Sequence, residues 1–293
     1  MRGSGWTLPA AALLVSTLPL AAQADSTAAD EGPSLVSFDW GAADTLEALG
    51  LESHLVGLPH QAAPGYMVHL LEGRADVGGL KLPDLDAIEA LSPGLILITG
   101  RQSAVQEDLQ AVAETRDVTL AEGDYLEALS DKVKGLAALY GAEVQAEERL
   151  EALHADIESA RESLADAVDA VVVTHNDGHY SLRQEPVVSE LLQIDQPEVP
   201  ESVEPVSHGS RTFYPVTPDV LAEMSPDVVF VVDRSAAIGG TPLEASTLQE
   251  GLARAGAEAT RVEVLSPGLW YLSGDGLQSV RAQMDEITQA LTP

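Results

Sequence analysis

Asp86-Ala87-Ile88-Glu89-Ala90-Leu91-Ser92-Pro93-Gly94-Leu95-Ile96-Leu97-Ile98-Thr99-Gly100-Arg101 is matched later in the chain by Asp219-Val220-Leu221-Ala222-Glu223-Met224-Ser225-Pro226-Asp227-Val228-Val229-Phe230-Val231-Val232-Asp233-Arg234. The two copies align without a gap, and both end in arginine. Each reads as a short helix stopped at Ser-Pro, then an apolar run of strand length, with the arginine where that strand finishes. Ligands of open α/β sheets bind at the carboxyl ends of strands. Two similar lobes are therefore expected, each presenting one arginine to an anionic ligand held between them.

The chain around these copies has 293 residues, enough for two cores of ordinary size. Strand-like and helix-like segments alternate, which gives an α/β class. Between Glu143 and Val168, apolar residues fall at Leu150, Leu153, Ile157, Ala160, Leu164 and Val168, in steps of three and four, with acids and arginines between them. That pattern predicts one long amphipathic helix, stiff enough to join the lobes as a strut. The expected organisation is residues 1–24 as a signal peptide, 25–142 as the first lobe, 143–168 as the interdomain helix and 169–293 as the second lobe. In the second lobe, Ala170–Thr174 is a strand that Asn176-Asp177-Gly178 turns back into His179–Leu182. Val187–Leu192 reads as a helix, Ser266–Ser273 as a loop holding Trp270 and Tyr271, and Gly276–Leu291 as a closing helix.

The amino terminus carries Arg2, an apolar run from Leu8 to Leu20, and Ala22-Gln23-Ala24 before Asp25. This is the pattern of a cleaved secretory signal, and the run falls short of the roughly 20 residues of a spanning helix. The chain has no cysteine, so neither a disulfide framework nor a lipid-bearing cysteine is available. A free periplasmic protein follows from these two features.

Asp and Glu number 47 against 15 Lys and Arg, for a net charge of −32. Nucleic acid is excluded as a partner by that balance. The excess acid reads as a surface adapted to high salt, where the screening length shrinks to about 3 Å at 1 M and local arginines outweigh the global charge. The sequence has no Gly-x-Ser-x-Gly elbow, no Gly-x-x-x-x-Gly-Lys loop, no His-Glu-x-x-His and no thiol nucleophile, so an enzyme is not expected. His175 and His179 flank an Asp-Gly turn rather than sharing a helix face. His54, His60 and His69 are the first candidates for a zinc-binding alternative.

Leu80–Gln102, His208-Gly209, Val231-Val232-Asp233-Arg234 and Trp270-Tyr271-Leu272-Ser273-Gly274-Asp275-Gly276-Leu277 resemble the iron-siderophore-binding proteins of ABC importers, most closely those for catecholate siderophores of the enterobactin and petrobactin kind. The resemblance spans nearly all of the chain after the signal. It implies the helical-backbone periplasmic binding protein fold, two Rossmann-like lobes joined by a single long interdomain helix. It also implies a ferric catecholate siderophore in the cleft, delivery to an inner-membrane ABC permease, a monomer, and no cofactor beyond the iron(III) carried by the ligand. A haem or cobalamin receptor of the same fold is the alternative.

The resemblance assigns roles residue by residue. Arg101 and Arg234 match the cleft arginines that face catecholate oxygens. A third arginine aligns with Gln184, and the neighbouring Arg183 is taken for its role. His208 and Tyr271 match the residues that complete iron coordination when a siderophore supplies only four donors, and phenolate and imidazole both suit iron(III). Asp86 and Asp219 match acidic residues that dock on the permease, where the family commonly has glutamate. Capping of a helix is their alternative use.

Overall fold

The computed structural model describes residues 32–164, 168–208 and 211–292, together with Met1 and Gly3, and only the backbone of His208 and Arg211. The signal peptide expected over residues 1–24 lies outside the described residues, apart from Met1 and Gly3. The two lobes fall within one compact unit, Gly32–Pro293.

In chain order the elements are β1 Leu35–Ser37, α1 Trp40–Ala48, β2 Leu55–Leu58, β3 Ala75–Asp76, α2 Leu85–Leu91, β4 Leu95–Ile98, α3 Gln106–Val112, β5 Thr115–Asp117, α4 Tyr125–Ala137 and α5 Glu143–Ser163. There follow β6 Ala170–Asn176, β7 His179–Leu182, β8 Val206–His208, β9 Arg211–Val216, α6 Pro218–Met224, β10 Val228–Asp233, α7 Arg234–Ala237, α8 Ala245–Arg254, β11 Arg261–Leu265, α9 Pro267–Tyr271 and α10 Leu277–Leu291.

The first sheet is parallel throughout, in the order β3-β2-β1-β4-β5. The second runs β11-β10-β6-β7-β9-β8 and is parallel only across β11, β10 and β6. Resemblance between the lobes is therefore closest over the duplicated segments. β4 lies between β1 and β5 as β10 lies between β6 and β11, and every residue of both strands is buried. Runs such as Leu-Ile-Leu-Ile and Val-Val-Phe-Val-Val suit central parallel strands covered on both faces. The helix before each strand ends at a serine in the left-handed region, Ser92 at φ 48° and Ser225 at φ 54°. Helices commonly end on such a residue, and the proline after it prevents the helix from resuming. The lobes diverge after β6, where the Asn176-Asp177-Gly178 turn sends the chain back antiparallel into β7.

α5 buries Ala146, Leu150, Leu153 and Ile157 along one stripe. They join Leu129 and Val133 of α4 and Val280, Met284 and Ile287 of α10 in one core. Its 21 residues span about 30 Å. The helix ends at Ser163, earlier than the periodicity predicts: Leu164 turns out of it at ψ 85°, yet Leu164 and Val168 still pack on the core. Two other elements differ from the sequence reading. Val187–Leu191 is a single π-helical turn, and the loop expected over Ser266–Ser273 contains α9, which starts on Pro267. Proline suits a first helical position because its φ is already helical and its missing N–H is not needed there.

A second junction between the lobes lies where α1 meets the start of α10. Asp44 is fully buried and accepts from the main-chain N–H of Gln278 at 2.7 Å, that of Ser279 at 2.6 Å and the hydroxyl of Tyr66 at 2.9 Å. An acid from the first lobe thus satisfies the open amides of a second-lobe helix. Gly41 and Gly276 permit this approach, since a Cβ at Gly41 would come within 2.7 Å of the Asp275 backbone and one at Gly276 within 2.6 Å of Asp44.

Candidate functional site

Both repeat arginines reach the same residue. Arg101 lies in the turn just beyond β4 and donates through Nη2 to the main-chain oxygen of Tyr271 at 2.7 Å. Arg234 follows β10 directly and donates through Nε to the Tyr271 hydroxyl at 2.8 Å. Their guanidinium carbons stand 5.8 Å and 5.7 Å from the centre of the Tyr271 ring. Both lie within the range of cation–π attraction. Arg183, just after β7, donates to the Trp270 carbonyl at 3.2 Å, so three arginines surround the end of α9. All three are half-buried, as is Tyr271.

Each arm is held from behind. Gln102 is fully buried, accepts from the Thr99 amide at 2.9 Å and donates to the Leu80 carbonyl, which fixes the turn that carries Arg101. Arg234 donates to the Asn176 side chain, and the Asn176 turn is itself pinned to the end of β10. Asp177 donates its amide to the Ser235 hydroxyl at 2.9 Å, and Gly178 donates its amide to His175 Nε2 at 3.0 Å. With Nε2 facing the Gly178 amide, the Nδ1 side of His175 meets the Asp233 carboxylate at 2.8 Å. Burial alone would raise the Asp233 carboxyl, but hydrogen bonds from His175, Leu243 and Ala236 hold it below its ordinary range. α9 is anchored by α10: Trp270 donates from its ring nitrogen to Glu286 at 2.6 Å, and Gln283 donates to the Leu269 carbonyl at 3.1 Å.

Acidic groups also line this region. Glu185 pairs with Arg183, and Asp275 accepts from the Tyr125 hydroxyl at 3.0 Å. Burial pushes the Glu185 carboxyl up despite the opposing pull of Arg183, and Asp275 pushes the same way. The Tyr125 phenol is likewise raised, first by burial and then by Asp275.

The structure thus brings together Arg101, Arg183, Arg234 and Tyr271. His208 ends β8 beside the β9 hairpin, and its side chain lies outside the described residues. Asp86 and Asp219 sit exposed in the first turns of α2 and α6, and among the described residues neither carboxylate has a hydrogen-bond or ion-pair partner. The caps of those helices are Asp84 and Thr217 instead. The three histidines of the zinc alternative have separate surroundings. His54 stacks on Tyr140, His60 bonds to the Arg74 carbonyl and His69 pairs with Glu47. Among the described residues, no three metal-binding side chains come together.

The sequence carries no pattern that pairs Asn176 with Arg234 or that sets the His175–Asp233 pair beneath the Asn176 turn. Asp233 stands beside Arg234 within the repeat, but its counterpart in the first copy is Gly100, so duplication gives no signal for it. Glu185, two residues after Arg183, was the one visible hint.

Among the described residues no helix is long and apolar enough to cross a membrane. A periplasmic binding protein family model matches residues 35–260. The chain is 27% identical over 267 residues to the petrobactin-binding protein YclQ of Bacillus subtilis, covering 88% of this chain and 82% of that protein. The crystal structure of YclQ superposes with a TM-score of 0.80, over 89% of this chain and 93% of that one. The ferric-anguibactin-binding protein FatB of Vibrio anguillarum is 23% identical, over 73% of this chain and 68% of its own length. The iron uptake ABC transporter substrate-binding protein PiuA of Streptococcus pneumoniae is 29% identical with a TM-score of 0.75, over 88% and 93% of the two chains. On the family match and these likenesses together, the chain belongs to the periplasmic binding protein family and is a solute-binding protein rather than an enzyme.

Proposed function

We propose that this protein is the periplasmic receptor of an ABC importer and binds a ferric catecholate siderophore in the cleft between its lobes. The observation that carries the reading is the convergence of Arg101 and Arg234, one from each lobe, on Tyr271. Guanidinium groups offer planar, permanently charged donors to anionic oxygens. A phenol oxygen between them suits a hard ferric ion. The names of the petrobactin-binding and ferric-anguibactin-binding relatives support the ligand class.

On this reading Arg101, Arg183 and Arg234 contact the catecholate oxygens, and Tyr271 with His208 completes the coordination of a tetradentate complex. The iron arrives with the ligand as cargo. Asp86 and Asp219, exposed on the two lobes, engage an inner-membrane permease. A signal over residues 1–24 exports the chain, which works as a monomer, and its acidic surface is suited to high salt.

The reading is tested by fluorescence titration, with Trp270 beside Tyr271 as reporter. Tetradentate and hexadentate ferric catecholates should both quench, with a ferric hydroxamate weaker. Quenching by haem or cobalamin alone would overturn the ligand class.

A further inference from the structure

Arg183 carries its own counter-charge into the arginine cluster. Its Nε donates to Glu185, whose side chain is 10% exposed, while its Nη2 donates to the Trp270 carbonyl at 3.2 Å. A half-buried guanidinium paired with a carboxylate presents little net charge to a ligand nearby. Arg234, by contrast, is held by neutral groups, the Asn176 amide and the Tyr271 hydroxyl. The Asp275 carboxylate accepts from Tyr125 in the same region and further lowers the local positive charge.

We infer that Glu185 is a specificity-determining residue of this cleft: by neutralising Arg183 it biases the receptor toward ferric complexes of low net charge, of the bis-catecholate kind, over tris-catecholate complexes. The inference rests on the siderophore reading and sharpens it. Two catecholates leave a ferric ion with a single net negative charge and open coordination positions, whereas three leave it triply negative and saturated. A cleft that offers Tyr271 as a further oxygen donor adds negative charge when that donor is used. Such a cleft needs less arginine charge from its walls than one enclosing a triply charged complex. Coulomb attraction to a newly uncompensated guanidinium scales with ligand charge, so removal of the Glu185 charge should favour the two complexes unequally.

The test compares wild type with Glu185→Gln, which keeps an oxygen for Arg183 to bond but removes the charge. The probes are ferric bis-catecholate, ferric tris-catecholate and an uncharged ferric trihydroxamate. Glu185→Gln should tighten tris-catecholate binding about tenfold and bis-catecholate binding about twofold, and leave the trihydroxamate unchanged. Glu185→Asp, which retains the charge, should keep the wild-type ranking. Equal factors for all three probes, or no change, would overturn the role of Glu185 and leave the siderophore reading standing. Failure of wild type to bind any of the ferric complexes would overturn both. Thermal unfolding of each variant shows whether a loss comes from the fold, and the ratio between probes is insensitive to a uniform loss of folded protein.

Discussion

Arg101 and Tyr271 belong to different lobes, yet the guanidinium of the first donates to the main-chain oxygen of the second at 2.7 Å. The arginine that ends the first duplicated segment is thereby registered against the second lobe. Arg234 donates to the hydroxyl of the same tyrosine, so one residue links both duplicated segments.

Loss of either arginine should therefore weaken an anionic ligand strongly. Charge-assisted hydrogen bonds contribute about 1.5–3 kcal/mol each. Arg101→Ala and Arg234→Ala are each expected to raise the Kd for a ferric catecholate by about 10- to 100-fold, read by fluorescence quenching. Lysine at either position should recover only part of the loss, because it lacks the planar fork. Affinity within a factor of two of wild type in both alanine variants would remove the arginines from the site.

Tyr271 gives a sharper discrimination. If its oxygen completes the iron shell, Tyr271→Phe should cost a tetradentate catecholate complex at least tenfold and a hexadentate one only a few-fold. The tyrosinate contribution to the charge-transfer absorption of the tetradentate complex should be lost, while the catecholate-to-iron absorption remains. Equal losses for both complexes would mean that the hydroxyl acts through Arg234 alone.

The two lobes and their arginines were legible because duplication and periodicity are linear signals. Ser92-Pro93 and Ser225-Pro226 stop equivalent helices, and fully apolar strands follow. The junction at Asp44 was not legible, because an acid in the middle of α1 resembles any solvent-facing acid in a chain with 47 of them. Its partners, Gln278 and Ser279, lie more than two hundred positions away, and no local pattern predicts such pairing. The supports of Arg234 were hidden for a related reason. Asn176-Asp177-Gly178 has all the marks of a turn, and turn chemistry accounts for those residues without revealing that Asn176 also holds the arginine.

Asp44 should leave a signature in the pH dependence of stability. Burial raises its carboxyl to about 6, against the opposing hydrogen bonds from Gln278, Tyr66 and Ser279. Because the folded-state value lies above the unfolded one, the folded chain holds this proton more tightly than the unfolded chain. Its contribution is then fullest below about pH 4 and is lost as the pH rises to about 6. The decline amounts to about 3 kcal/mol at 1.36 kcal/mol per unit. Asp44→Asn cannot titrate, so the stability difference between wild type and this variant should shift by about that amount between pH 4 and pH 7. Urea denaturation across that range measures it, and a constant difference would show that Asp44 stays ionised throughout.

Substitution of Asp86 and Asp219 tests whether transport can be lost while binding is kept. Both carboxylates are exposed, and Asp84 and Thr217 already cap their helices. Substitution should therefore cost little stability, typically under about 0.5 kcal/mol at such surface positions. The Asp86→Lys, Asp219→Lys double variant is expected to keep its ligand Kd within twofold while uptake through the cognate permease falls to background. Normal uptake would place the docking surface elsewhere.

The strut α5 supplies a local test of adaptation to salt. Along its outer face, Glu143, Glu147 and Glu151 follow one another at four-residue spacing, all exposed, and Glu148 lies beside them. Like charges at this spacing destabilise a helix by about 0.2–0.5 kcal/mol per pair, and salt screens that repulsion. The unfolding midpoint should therefore rise as KCl increases from about 0.1 M to 1 M, where the screening length falls from about 10 Å to 3 Å. Glu147→Gln removes the middle charge of the series and relieves two repulsive pairs at once. That variant should be more stable than wild type at low salt, by about 0.4–1 kcal/mol, and indistinguishable from it at 1 M. A gain that persists at 1 M would reflect packing or helix propensity at position 147 rather than relief of charge, and would detach the acidic face of α5 from the salt response.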